Sequence, residues 1–127
     1  MKGDTYLAWS SDEKIRKKGE SGGAVTALLK VALEMKIVDA VLVVKMRNRS
    51  RYDGVLSLIT DPNEVLQSGG ALHFASVNVA RALKEYLSGA KDFRMAVTCK
   101  PCDCRAIIEL AKRGQINIDH LILIGLN

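Results

Sequence analysis

The chain has 127 residues, 48% hydrophobic and 26% charged, which suits one compact domain with a real core. No apolar run approaches the ~20 residues of a membrane helix, and the start, MKGDTYLAWSSDEK, lacks the apolar stretch of a secretory signal, so a cytoplasmic protein without a membrane span is expected. The net charge is +5, with basic patches KIRKK (14–18) and KMRNRSR (45–51), but aromatics reach only 5% and no helix-turn-helix, finger or RNP-like motif occurs, so solvated loops or attraction of an anionic cofactor or acidic partner is expected rather than nucleic-acid binding.

In chain order, TYLAW (5–9) reads as a short strand, followed by a polar, basic stretch over 10–20. From Ser21 the pattern turns helical. Val25, Leu28, Leu29, Ala32 and Leu33 recur at three- and four-residue spacing, with Lys30 and Glu34 as an outward pair. DAVLVVK (39–45) is a β-branched run, the signature of a strand buried on both faces. GVLSLIT (54–60) follows as a second strand, and DPNEV opens a turn or short helix with Pro62 suited to a first helical position. SGGALHFAS (68–76) opens a second long helix with Ala75, Val79, Ala82, Leu83 and Tyr86 on one side and Gly89 as its stop. FRMAVT is a strand, residues 101–113 a third helix ending at Gly114, and HLILIGL (120–126) the last strand. Alternating strands and helices predict an α/β layered sandwich, its sheet mostly parallel with helices on both faces. Residues 1–127 read as a single domain, and the abrupt end after an apolar run reads as a piece of something longer.

All three cysteines fall in TCKPCDC (98–104), too close together and odd in number for a disulfide framework. Pro101 lacks an N–H and has a fixed φ, so it belongs at the first helical position. Cys102 and Asp103 then occupy the first turn, where unpaired N–H groups, the helix dipole and neighbouring Lys100 favour a thiolate. Cys99 and Cys102 have Cys-x-x-Cys spacing, which lets two sulfurs bind one metal or each other. Cys104 falls on the stripe Cys104, Ile107, Ile108, Ala111, where a free cysteine acts as a small hydrophobe. Zinc needs four ligands, and His73 and His120 show no ligand spacing. A thioredoxin-like pair lacks its usual flanking residues, and an iron–sulfur cluster typically takes four thiolates. From the residues alone, core packing, a thiol redox pair and part of a cluster all stay open.

ESGGAVTALL and QSGGALHFAS each set a serine and two glycines before a helix. Glycine exposes N–H groups that can hold an anion, although serine capping and glycine turning account for the pattern equally well. Neither segment ends as a P-loop or matches a GxGxxG fingerprint.

Together, SGGAVTALLKVALEMKIVDAVLVV, LQSGGALHFAS, the KPC turn and the closing ILIGLN resemble, in order and spacing, the N-terminal domain of one family. It is the beta subunits of coenzyme F-420 (F420 below) hydrogenases and F420-dependent formate dehydrogenases. The resemblance implies an oxidoreductase's electron-transfer domain that works with FAD, an iron–sulfur cluster of the 4Fe-4S kind and F420 as substrate. Its partners would be hydrogenase or formate dehydrogenase catalytic subunits. It implies Cys102 as a cluster ligand, with Cys99 beside it, and the remaining ligands outside residues 1–127; a further cysteine tends to follow the Ile-Gly-Leu strand in such subunits. It places Ser21, Gly22 and Gly23 in the loop that holds flavin or phosphate, with Lys100 near the cofactor. Cys99 and Lys100 depart from the family's usual residues before Pro-Cys, and His73 receives no role. The family's larger C-terminal domain is not part of these residues, so 127 residues alone are expected to be inactive. Two alternatives remain: a non-redox domain binding a phosphorylated ligand, and a thiol–disulfide domain using Cys99 and Cys102.

Overall fold

The computed structural model describes residues 3–18, 23–46, 54–67, 79–85, 88 and 94–126. The β-branched run becomes β1 (Ala40–Met46), the next apolar run β2 (Gly54–Ile59), and MAVTC becomes β3 (Met95–Cys99). β4 (Leu121–Gly125) completes one sheet in the order β2-β1-β3-β4. β1 and β2 pair antiparallel, with Val41 opposite Ile59 and Met46 opposite Gly54. β1 with β3 and β3 with β4 pair parallel, so the sheet is mixed and mostly parallel, as the alternation of elements predicts.

Among the described residues, the sheet is joined by α1 (Glu13–Lys18), α2 (Ala24–Glu34), a 3-10 turn at Glu64–Gln67, α3 (Val79–Glu85) and α4 (Pro101–Lys112). A further 3-10 turn, Ile118–His120, leads into β4. One sheet face, with Val41, Val43, Ile59 and Ala96, packs beneath Leu29 and Leu33 of α2 and Val65 of the first 3-10 turn. The opposite face, with Leu42, Met95, Val97 and Cys99, packs beneath Val79 and Leu83 of α3 and Ile107 of α4. Helices on both faces explain why every residue of β3 is buried, whereas the residues of edge strand β4 are half-buried or exposed. Each aliphatic side chain buried this fully contributes roughly 1.5–3 kcal/mol over an exposed one. The two central strands therefore carry the core.

The helix ends fix where the heads of α2 and α4 lie relative to the sheet. α2 stops in a Schellman turn, with the Lys36 and Ile37 N–H groups donating to the Leu33 and Ala32 carbonyls at 3.2 and 2.9 Å. α4 stops the same way at Gly114, through the Ala111 and Leu110 carbonyls. Only residues 35–39 separate α2 from β1, so α2 runs back against that strand and its Gly23 end lies toward the edge where β1 ends. α4 begins directly after β3, so its head meets the same edge. In open α/β sheets that edge is where ligands gather.

Three expectations change. TYLAW forms no strand: residues 5–9 have no regular structure, and Tyr6, Leu7 and Trp9 are 78%, 94% and 64% exposed. Apolar residues make a strand only when a neighbouring strand takes their N–H and C=O groups, and among the described residues none pairs with this segment. The basic stretch after it contains α1, started by the Asp12 carboxylate accepting from the Lys14 N–H at 2.9 Å and held by a Glu13–Lys17 pair. Its Ile15 is buried. On α2, Leu28 faces outward although the apolar spacing points it inward, while the Lys30–Glu34 pair forms at 3.7 Å as expected. The helix expected from residue 68 is seen as α3; residues 68–78, Tyr86 and Gly89 lie outside the described residues.

Candidate functional site

Among the described residues, the head of α4 gathers several polar contacts at this edge. Lys100 is the N-cap, extended at φ −71° and ψ 162°, the conformation that a following proline imposes, and Pro101 takes the first helical position. Asp103, at the third helical position, turns back to accept the Lys100 N–H at 3.1 Å. This is the reciprocal half of a capping box. The same carboxylate accepts the Val79 N–H at the start of α3 at 3.4 Å and pairs with the Lys100 ammonium at 3.2 Å.

The three sulfurs in this turn have three different environments. Cys102, in the first turn of α4, is exposed. Cys99, at the end of β3 and opposite Gly125 of β4, is 1% exposed and belongs to the core beneath α3 and α4. Its thiol points to the Ile124 carbonyl at 3.8 Å. Burial, then the Cys104 thiol and the Asp103 charge beside it, push the Cys99 thiol up to about 12, which keeps it protonated. Cys104 is half-buried against the same core, as its helical stripe predicts, and its thiol faces the Cys99 carbonyl at 3.9 Å. That carbonyl also accepts the Leu126 N–H at 2.8 Å, tying the chain after β4 to the sulfur turn.

The Cys-x-x-Cys pair is therefore divided, one sulfur toward solvent and one toward hydrocarbon. Strand alternation explains the division: Met95, Val97 and Cys99 share one face of β3, and α4 lies over it. A metal or disulfide needs two sulfurs that converge, and among the described residues no group of three or more His, Cys, Asp or Glu side chains is placed to hold a metal ion. Cys102 suits an external ligand. Cys99, as placed, suits the core.

Of the Ser-Gly-Gly loop before α2, Ser21 and Gly22 lie outside the described residues, as does His73. Gly23 is the N-cap of α2 at φ 74° and ψ 15°, with no side chain capping the helix. A Cβ there would stand 2.7 Å from the Ile15 carbonyl oxygen and 2.9 Å from its Cγ2, so glycine is needed for α1 to approach the head of α2. Lys100, the other residue expected near a cofactor, has its ammonium at the Asp103 carboxylate. Sequence reasoning gave Asp103 no role; the signal was an acid three residues after an N-cap position.

No helix among the described residues is long and apolar enough to cross a membrane. Residues 5–84 match the family described as coenzyme F420 hydrogenase/dehydrogenase, beta subunit N-term. The F420-dependent formate dehydrogenase 1 subunit beta of Methanococcus maripaludis is 46% identical over 127 residues, all of this chain and 32% of the relative. The F420-dependent formate dehydrogenase subunit beta of Methanocaldococcus jannaschii is 46% identical over 121 residues, 95% of this chain and 31% of the relative. This chain thus spans about a third of the length of these relatives. Among solved structures, a chain of the F420-reducing nickel–iron hydrogenase complex of Methanosarcina barkeri, determined as a xenon derivative, shares the fold. The TM-score is 0.65 at 24% identity, over 87% of this chain and 37% of that one. The chain belongs to the N-terminal family of coenzyme F420 hydrogenase/dehydrogenase beta subunits.

Proposed function

We propose that these residues form the N-terminal, electron-transfer domain of a beta subunit in an F420-dependent oxidoreductase of the formate dehydrogenase or hydrogenase type. The names of the relatives support this, since both formate dehydrogenase relatives are called F420-dependent beta subunits. The subunit works in the cytoplasm with a hydrogenase or formate dehydrogenase catalytic subunit, and its cofactors are FAD and an iron–sulfur cluster. When bound, these supply one-electron and hydride chemistry to F420 that no amino-acid side chain provides.

The observation that carries the site assignment is the exposed Cys102 sulfur in the first turn of α4, beside backbone N–H groups that stabilise negative charge. A thiolate at Cys102 is the donor type a cluster takes, and because Cys99, Cys102 and Cys104 are the cysteines of these 127 residues, the remaining thiolates come from outside residues 1–127. Cys99 contributes from behind, by holding the end of β3 in the core so that the turn presents Cys102 outward. Gly23, the described part of the Ser-Gly-Gly loop, starts α2 with no side-chain cap among the described residues, and N–H groups at such a helix start can hold a phosphate.

Anaerobic reconstitution of the full-length subunit tests this reading. Cys102→Ser is expected to lower iron bound per chain, while Cys104→Ser leaves it unchanged. Equal iron in wild type and Cys102→Ser defeats the ligand assignment.

A further inference from the structure

Among the described residues, Asp103 is the one charged side chain buried from solvent, at 4% exposed. Capping a helix does not require this. A neutral glutamine at this third helical position can accept the N-cap N–H as well, and burying an ionised carboxylate is costly unless each oxygen is engaged. Here both are. One oxygen accepts the Lys100 N–H at 3.1 Å and meets the Lys100 ammonium at 3.2 Å; the other accepts the Val79 N–H at 3.4 Å, from a helix 24 residues earlier in the chain. The carboxylate therefore joins the heads of α3 and α4 and sets a negative charge against the lysine that flanks the sulfur turn.

We propose that Asp103 is the positioning residue of the sulfur turn: it locks the Cys102-bearing turn to α3 and offsets the Lys100 charge beside whatever Cys102 holds. The locking half stands on geometry alone. The charge half rests on the cluster reading above. A lone lysine next to a cluster stabilises the more negative reduced state and raises its potential, whereas the Lys100–Asp103 pair is neutral in sum and leaves the backbone N–H groups to act.

The test uses the full-length subunit with Asp103→Asn, Lys100→Met and both together. Asparagine nearly matches the shape of aspartate but offers one acceptor oxygen to two N–H groups on opposite sides. In the metal-free protein, hydrogen exchange at Val79 or Lys100 should therefore rise tenfold or more, with β1–β2 amides unchanged. Unchanged exchange at both positions overturns the lock. In the reconstituted protein, Asp103→Asn should shift the redox midpoint to more positive values, Lys100→Met to more negative ones, and the double variant back toward wild type. Midpoints equal to wild type in both single variants, at wild-type iron content, overturn the charge balance. A wild-type subunit that takes up no iron defeats the cluster reading and the charge half together, and the exchange measurement still decides the lock.

Discussion

At the head of α2, Gly23 has φ 74°, no side-chain cap, and the Ile15 carbonyl oxygen where a Cβ would go. At the head of α4, beside Pro101, a buried aspartate makes three polar contacts, two with the extended Lys100 and one with the Val79 N–H. Both starts lie toward the same sheet edge. The first is shaped by backbone approach, the second by charge. A glycine-rich start therefore has a packing reason to exist whether or not it binds an anion, while the start of α4 holds more polar order than a cap requires. That excess is the better pointer to chemistry.

The largest expected effect breaks the α2 side of this comparison. Gly23→Ala forces a left-handed backbone, costing ~1–2 kcal/mol, and also drives a methyl into the Ile15 backbone. A total loss of roughly 3 kcal/mol is expected from the urea midpoint, combining the strained backbone and the overpacked contact. A loss below about 0.5 kcal/mol, the range of ordinary surface changes, contradicts the steric account.

At α4 the sharper probe is alkaline pH. The folded-state thiol of Cys99 titrates near 12 and its reference is 9.0, so above pH 9 the unfolded chain releases a proton that the folded chain keeps. Stability is fully present below pH 9 and falls as pH rises toward 12, by about 1.4 kcal/mol per pH unit from this one group. Urea titrations at pH 8, 9.5 and 10.5 measure the slope. Cys99→Val removes the titrating group and should flatten the curve by that amount; identical slopes contradict the buried, protonated thiol.

The smallest expected effect concerns the helix tails. α4 ends on Gly114 at φ 71°, whereas α2 ends on Lys36 at φ 54°, a conformation that a side chain rarely takes. Lys36→Gly should stabilise by about 0.5 kcal/mol, since relief of strain is partly cancelled by extra freedom in the unfolded chain. Thermal unfolding reads the sign, and any destabilisation contradicts it.

Much of the fold was legible because its central strands are buried on both faces: DAVLVVK and FRMAVT can be read from composition alone, although β3 starts later and runs on to Cys99. Pro101 and Gly114 marked α4 at both ends, since each residue type fits its position for a backbone reason. TYLAW misled because apolar content does not reveal whether a neighbouring strand is present to pair with it. α1 was hidden because its positive charges drew attention from the Asp12 cap and the Glu13–Lys17 pair. In the sulfur turn, helical spacing placed Cys104 correctly against the core. The depth of Cys99 depends on its register with Gly125 and on α4 lying above it, and both are long-range facts that local spacing does not contain. The reach of Asp103 to Val79 is long-range in the same way.

The central claim is that a three-residue spacing splits two sulfurs, Cys102 to the outside and Cys99 to the core. Timed alkylation of the native, reduced, metal-free protein, read by peptide mass spectrometry, tests it directly. The account predicts that Cys102 is modified rapidly, while Cys99 reacts at least a hundredfold more slowly until denaturant is added, because a buried, protonated thiol is a poor nucleophile. Equal rates at the two cysteines, or faster labelling of Cys99, contradict it.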